Sequence, residues 1–164
     1  MLNRLFNVFG RGEELPTFDV THVLNDKDSK TRDEALQFIA QAMFKHGYVN
    51  DANKFLSDLI SRETKDSTGF KDAIATPHAK SKHAKYASIW VVRFNHPIEW
   101  ETMDEVPVKA IVALSIPAKS AESAMMPLIA ISKANMKEEF RQVLKTGEES
   151  VVAKEIERVI GEVL

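Results

Sequence analysis

The sequence predicts an α/β protein, a three-layer α/β/α sandwich in which a small mixed β-sheet is flanked by helices. Helical periodicity dominates residues 31–62 and 125–163, whereas short apolar and β-branched segments occupy the middle of the chain. Segment 108–116 is apolar with almost no alternation, which is typical of a strand covered on both faces. Helices that precede and follow the strands are therefore expected to cover the two sides of the sheet.

The amino-acid composition indicates a folded single domain and gives no sign of nucleic-acid or membrane binding. A chain of 164 residues suits a single domain with a sizeable core, and 44% hydrophobic with 28% charged residues is typical of a folded, soluble protein. The 22 Lys and Arg residues nearly balance the 24 Asp and Glu residues, so the net charge of -2 gives no overall attraction for nucleic acid or anionic lipid. The absence of cysteine excludes disulfides and thiolate chemistry and fits a cytoplasmic address. No apolar run approaches the roughly 20 residues of a membrane span.

Residues 1–16 are predicted to form a separate amphipathic segment and linker, followed by one domain over residues 17–164. Leu2, Leu5, Phe6 and Phe9 fall on one helical face, and two glycines and a proline then punctuate the chain. We expect a terminal helix packed on its own domain or on a second subunit, which leaves a homodimer open. A membrane-surface or partner-docking anchor is the alternative.

Two helices are expected next, after an extended stretch over residues 18–24. Ser29 or Thr31 can cap the first helix, and Thr31 with Glu34 matches a capping box; Gly47 ends it. The second helix begins near Asp51, carries an apolar face over residues 55–60, and runs out near residues 62–63. A polar loop follows over residues 65–69.

The remaining elements are strands and then helices. Segments 73–76, 88–94 and 108–116 are predicted strands, because they are short, apolar and partly β-branched. The hydrophobic period then becomes helical around residues 125–132, 140–144 and 152–163. The chain is therefore expected to close in helices.

His78 is the residue most suited to chemistry. It follows Pro77 directly at the end of a short apolar strand, where the proline is expected to end the ladder and aim the histidine into a loop. A neutral imidazole is a competent nucleophile near pH 7, and its phosphoramidate is labile enough to pass a phosphoryl group onward. Taken alone, this pattern also fits a histidine that merely satisfies a buried carbonyl.

A longer pattern surrounds His78. The pair Arg62-Glu63, the loop Ser67-Thr68-Gly69-Phe70 and the run Ala73-Ile74-Ala75-Thr76-Pro77-His78-Ala79 occur together in this order. This combination resembles the active-site signature of the fructose/mannitol-type IIA components of the bacterial phosphotransferase system, the EIIA type 2 family. The resemblance continues through Pro97-Ile98-Glu99-Trp100, the strand at 108–116 and the closing helices with Glu139-Phe140, and only residues 1–16 lie outside it.

The resemblance implies a phosphotransferase component with a phosphohistidine intermediate and no cofactor. His78 would accept the phosphoryl group from phospho-HPr and pass it to the cysteine of a IIB domain, supporting sugar uptake. Arg62 would hold the phosphoryl oxygens, since phosphoryl transfer spreads charge over oxygens that need fixed donors. Without the resemblance, we would expect Arg62 to be a helix-terminal arginine in a surface ion pair. Ser67, Thr68 and Gly69 would supply further phosphate-binding hydrogen bonds, or simply form a polar turn.

Two departures from the family pattern bear on function. Many members carry a second active-site histidine where this chain has Ala124, and Thr76 stands where a branched aliphatic is commoner. The missing histidine favours an alternative, a regulatory protein like the nitrogen-related members, whose phosphorylation state controls protein partners. A metal site using His78 and His83 is a third hypothesis, weakened because no carboxylate lies between residues 73 and 97. We therefore expect no metal.

Overall fold

The computed structural model describes residues 5–8 and 14–161, with side chains described from residue 15 onward. Within these residues the α-helices are α1 (Arg32–Lys45), α2 (Ala52–Lys65), α3 (Met126–Ala134), α4 (Glu138–Thr146) and α5 (Glu149–Gly161). No helix in this described part is both long enough and apolar enough to cross a bilayer.

The ends of α1 and α2 follow local sequence signals. Thr31 caps α1 through a complete capping box with Glu34, and Gly47 follows the helix with a φ of 87°, a left-handed conformation that suits glycine. Asp51 caps α2 by accepting a hydrogen bond from the Lys54 amide. Helix α2 continues to Lys65, slightly beyond the expected end, so that Arg62 and its neighbour Glu63 lie in its last turn.

The strands in the described residues are β1 (Leu5–Val8), β2 (Glu14–Phe18), β3 (Val23–Asp26), β4 (Ile74–Ala75), β5 (His78–Ser81), β6 (Ser88–Ile98) and β7 (Val108–Pro117). Five of them form one sheet in the order β3-β6-β7-β4, and β5 also pairs with β7. Strands β6 and β7 are antiparallel, whereas β3 pairs with β6 and β4 and β5 pair with β7 in parallel. The predicted mixed sheet is confirmed.

Helices cover both faces of this sheet. Along β6, Trp90 and Val92 belong to the core shared with α1 and α2, while Ile89 and Val91 belong to the core shared with α3, α4 and α5. Strand β7 is divided between the same two cores, and for that reason residues 110–114 are all buried. The predicted three-layer α/β/α sandwich is therefore confirmed, including the physical reason for the unbroken apolar run.

Strands β4 and β5 lie one after the other along the same edge of β7. Ile74 is paired with Ala110 and His78 with Leu114, so the register is the same before and after Thr76-Pro77. Strand β4 ends at Ala75, before Pro77 as expected, but the chain does not leave the sheet there. Proline lacks only the N–H, and its carbonyl accepts a hydrogen bond from the Leu114 amide at 3.1 Å, so pairing with β7 resumes at His78. His78 therefore lies on a strand and not in a loop.

The N-terminal segment differs from its prediction as well. Leu5–Val8 forms β1, paired antiparallel with β2, where the sequence predicted a helix. Four apolar residues at helical spacing cannot exclude a strand, since pairing with a later segment decides the outcome. The remainder of the predicted helix and part of the predicted linker, residues 1–4 and 9–13, lie outside the described residues. The division into residues 1–16 and 17–164 stays a prediction, and β2 runs across that boundary.

Candidate functional site

A cleft of about 350 Å³ contains all five residues that the sequence singled out. We define its strand-side wall as Arg62, residues 67–70, Thr76 and His78. Its helix-side wall consists of the α3 residues Leu128 and Ser132 and of Asn135, which directly follows α3. The cleft thus lies between the end of α2, the loop that follows it, the start of β5 and helix α3. Its residues come from four separate parts of the chain, and the mixed sheet brings them together.

The orientation of the His78 ring is fixed by a backbone carbonyl. Nδ1 of His78 lies 2.9 Å from the carbonyl oxygen of Thr76. Because a carbonyl oxygen only accepts hydrogen bonds, this contact requires the proton to be on Nδ1 when the ring is neutral. Nε2 is then left with a free lone pair. The geometry therefore leaves Nε2, and not Nδ1, as the nitrogen with the lone pair of the neutral ring.

The surroundings of His78 favour the neutral ring. Burial lowers the pKa of His78, and the positive charge of Arg62 acts in the same direction. The hydrogen bond to Thr76 and the charge of Glu63 raise the pKa of His78 and offset part of this effect. The net result is a pKa below the ordinary value for histidine, so the imidazole is unprotonated and nucleophilic at neutral pH.

Arg62 supplies the positive charge on the strand-side wall. Its Nη1 donates a hydrogen bond of 2.5 Å to the carbonyl oxygen of Asp66, the residue that ends α2. This bond holds the half-buried guanidinium against the end of its own helix. Its other N–H groups make no hydrogen bond within the residues that the structure describes. They are therefore available to an anionic group in the cleft.

Glu63, which the sequence analysis did not single out, organises the strand-side wall. Its side chain is buried, and Oε1 accepts hydrogen bonds from the Thr68 amide at 2.8 Å and from Trp100 Nε1 at 2.8 Å. Oε2 accepts from the Thr68 hydroxyl at 2.7 Å. A signal was available: Glu63 falls four positions after Leu59, on the buried face of α2. A carboxylate at such a position needs several donors.

The loop residues predicted to bind phosphate use most of their donors within the loop. The Thr68 amide donates to Glu63, and the Gly69 amide donates to Ser67 Oγ at 3.0 Å. Ser67 Oγ in turn lies 2.6 Å from the carbonyl oxygen of Glu101. Gly69 is required for this close approach, because a Cβ there would lie 2.0 Å from the same Glu101 oxygen. Phosphate binding by Ser67, Thr68 and Gly69 stays a prediction.

Other candidate residues lie outside the cleft. Ala124, at the position of the second histidine in many family members, lies in a 3-10 turn and packs against the core under α3. His83 Nδ1 lies 3.2 Å from Asn50 Oδ1. Within residues 15–161, no group of three His, Asp or Glu side chains is arranged to hold a metal ion.

Comparison with known proteins decides the family. The model of the family described as "Phosphoenolpyruvate-dependent sugar phosphotransferase system, EIIA 2" matches residues 17–159. The chain belongs to this EIIA type 2 family. The EIIA chain is 28% identical over 126 residues to the fructose-specific EIIA component of Haloferax volcanii, covering 77% of this chain and 82% of that protein. It is 27% identical over 113 residues to a fructose-like EIIA component of Escherichia coli K12, covering 69% and 76%.

Solved structures share the fold of the EIIA chain at low sequence identity. The nitrogen regulatory protein IIA-Ntr of Neisseria meningitidis superposes with a TM-score of 0.75 at 18% identity, covering 84% of this chain and 94% of that one. The mannitol IIA of Escherichia coli gives a TM-score of 0.69 at 14% identity, covering 85% and 98%. The family and fold establish the EIIA chain as a phosphotransferase-system component.

Proposed function

We propose that this EIIA chain accepts a phosphoryl group on Nε2 of His78 from phospho-HPr and passes it to the cysteine of a IIB domain. The proposal rests on the contact between the Thr76 carbonyl and Nδ1 of His78. This contact leaves the lone pair of the neutral ring on Nε2, in a cleft that Arg62 also lines. Two relatives are fructose-specific and fructose-like EIIA components. We therefore propose that the phosphoryl group serves the uptake of a sugar of the fructose/mannitol type.

The first step is an in-line displacement on phosphorus. The Nε2 lone pair of His78 forms the new N–P bond while the N–P bond to the HPr histidine breaks and its electron pair returns to that ring. Positive charge develops on the His78 ring as the bond forms, and the Nδ1–H bond to Thr76 stabilises it. Arg62 offers its free N–H groups to the phosphoryl oxygens, and the Ser67 hydroxyl can join only by leaving Glu101.

The second step reverses the roles. A thiolate of the IIB domain attacks phosphorus, the S–P bond forms, and the electron pair of the N–P bond returns to Nε2 of His78. The solved structures that share this fold include a complex of mannitol IIA with phosphorylated mannitol IIB from Escherichia coli, one chain of which superposes on this chain with a TM-score of 0.71 at 13% identity. We propose an equivalent IIB partner for this chain, and HPr as its donor.

The test is phosphorylation by Enzyme I, HPr and phosphoenolpyruvate. Intact mass spectrometry should show one added phosphoryl group on the wild-type chain and none on His78→Ala. His83→Ala is the matched control, because His83 lies five residues further on and outside the cleft, and it should gain the group. A heteronuclear NMR spectrum of the phosphorylated ring should place the group on Nε2. A fully phosphorylated His78→Ala chain, or a group on Nδ1, contradicts the proposal.

The transport role and the regulatory alternative differ in the fate of the phosphorylated chain. Transport predicts rapid loss of the group from His78 when a cognate IIB domain is added. The regulatory alternative predicts that the phosphorylated chain persists in the presence of every IIB domain encoded with it. Intact mass measured over time after addition of IIB separates the two.

A further inference from the structure

Asn135, the last residue of the helix-side wall, has hydrogen-bond partners for both of its backbone groups. Asn135 follows the last turn of α3, and its amide donates to the Ile131 carbonyl at 2.9 Å. Its own carbonyl accepts a hydrogen bond of 2.7 Å from Arg141 Nη1. Both backbone groups therefore have partners. The termination of α3 does not use the side chain of Asn135.

The side chain of Asn135 is buried but incompletely bonded. The residue is 2% exposed, and its Oδ1 is buried with no hydrogen-bond partner. Two further buried side-chain atoms in the described residues, Asp26 Oδ2 and Arg93 Nε, share this property, and neither residue lines the His78 cleft. An unpaired buried polar group destabilises a fold, and an apolar residue of similar size would remove that cost. Native proteins accept such a cost chiefly at functional sites.

The position of Asn135 indicates what would complete its bonding. It lines the same cleft as His78 and Arg62, as part of the helix-side wall. The two ends of a carboxamide have nearly the same shape, so a half-turn about χ2 exchanges Nδ2 and Oδ1 without displacing neighbours. Asn135 can therefore present an N–H donor to an anion that enters the cleft. Its burial would strengthen such a hydrogen bond.

We propose that Asn135 is a phosphoryl-binding residue of this site, donating from Nδ2 to an oxygen of the phosphoryl group on His78. This inference rests on the proposed function, because it requires His78 to carry the group. Arg62 binds the phosphoryl oxygens from the strand-side wall, and Asn135 binds one from the helix-side wall. The phosphorylated state thereby closes a hydrogen bond across the cleft that the unphosphorylated state leaves open.

The test compares Asn135→Leu with Asn95→Leu. Leucine fills the space of asparagine without hydrogen bonding, and Asn95 is exposed on β6 outside the cleft. We expect Asn135→Leu to accept the phosphoryl group from phospho-HPr about tenfold more slowly than wild type, the loss that one hydrogen bond to a charged group produces. Its thermal midpoint should equal or exceed that of wild type. Asn95→Leu should match wild type in rate.

A second measurement needs no variant. The side-chain amide of Asn135 in the wild-type chain should shift strongly in a proton–nitrogen correlation spectrum when His78 is phosphorylated, because Nδ2 gains an anionic acceptor. Wild-type transfer with an unaffected Asn135→Leu rate and an unmoved amide signal overturns this inference alone. A wild-type chain that takes no phosphoryl group overturns the proposed function first, and this inference with it.

Discussion

On the strand-side wall of the His78 cleft, Glu63 accepts hydrogen bonds from Thr68 and Trp100, and the Gly69 amide has its own partner. On the helix-side wall, the buried Oδ1 of Asn135 has none within the described residues. The loop of the strand-side wall is thus bonded internally, whereas the helix-side wall holds a buried polar group without a partner. From our proposals we expect this loop to keep its shape with or without a phosphoryl group, and Asn135 to gain a hydrogen bond only when the group is present.

The largest expected effect follows removal of the carboxylate that holds the strand-side wall together. Glu63→Ala leaves the Thr68 amide, the Thr68 hydroxyl and Trp100 Nε1 without their acceptor. We expect the free energy of unfolding to fall by about 3 to 5 kcal/mol, measured by urea denaturation. Glu101→Ala is the control, since only its backbone carbonyl contacts the loop. Equal losses in the two variants would show that the wall does not depend on Glu63.

A smaller loss is expected from Gly69→Ala. The new Cβ would lie 2.0 Å from the Glu101 carbonyl oxygen, so the loop must move away from that backbone. We expect a loss of about 2 to 3 kcal/mol in the free energy of unfolding. Gly161→Ala provides the comparison, because nothing lies within 4 Å of the added Cβ in α5, and it should stabilise by up to about 1 kcal/mol. An unchanged free energy of unfolding in Gly69→Ala would show that the loop can move away from the Glu101 carbonyl without cost.

Asp72 connects the segment that follows the loop of the strand-side wall to helix α4, and its replacement tests that connection. Its carboxylate accepts from Lys145 Nζ at 2.5 Å and from Arg141 Nε at 3.0 Å, and Arg141 also holds the Asn135 carbonyl. Asparagine tolerates the positive φ of 56° at this position, so Asp72→Asn removes the charge alone. We expect a loss of about 1 kcal/mol near pH 7. Glu155→Gln, which breaks an exposed pair with Arg158, should cost less.

The stability that the charged Asp72 contributes is expected to decrease in acid. The hydrogen bond from Lys145 holds the pKa of Asp72 below its ordinary value against the opposing effect of burial, and Arg141 contributes in the same direction as Lys145. A carboxylate with a lowered folded-state pKa stabilises fully above its unfolded pKa of about 4 and loses that contribution as pH falls through the folded value. The unfolding curves of wild type and Asp72→Asn should therefore converge in acid. Curves that stay parallel would exclude the ion pair as the cause.

The smallest effect concerns the titration of His78. Because burial and the charge of Arg62 lower its pKa, its imidazole signals should titrate below about 6.5, the value expected for the chain unfolded in urea. The unfolded chain then binds more protons in this window, so His78 contributes stability that rises with pH through it. Arg62→Gln should move the His78 titration upward. A midpoint above 6.5 in the folded wild-type chain would contradict the neutral nucleophile.

Features encoded locally were predictable from the sequence. The capping box of Thr31 and Glu34, the glycine end at Gly47 and the two-sided burial of segment 108–116 each depend on short-range spacing, and the structure confirms them. The strand that runs into Pro77 indicated His78, the family resemblance added Arg62, and the structure places both residues in one cleft. Their chemical roles stay predictions.

Features that depend on distant partners were not predictable in this way. Strand β1 forms against β2, and β5 resumes the ladder after Pro77 because β7 supplies partners for it. The burial of Asn135 is a further example, since polar residues are common at helix ends and nothing nearby in sequence shows that packing buries this one. The full bonding of Glu63 was not predictable for a similar reason, since its donor Trp100 Nε1 lies 37 positions further along the chain.

The contact between Thr76 and His78 bears on how the site can change through mutation. The group that fixes the proton on Nδ1 of His78 is a peptide carbonyl, and every amino acid at position 76 brings the same carbonyl. Exchange of threonine for a branched aliphatic at this position therefore keeps the hydrogen bond to the ring. The contact that sets the tautomer of His78 is in this way insensitive to single codon changes at position 76.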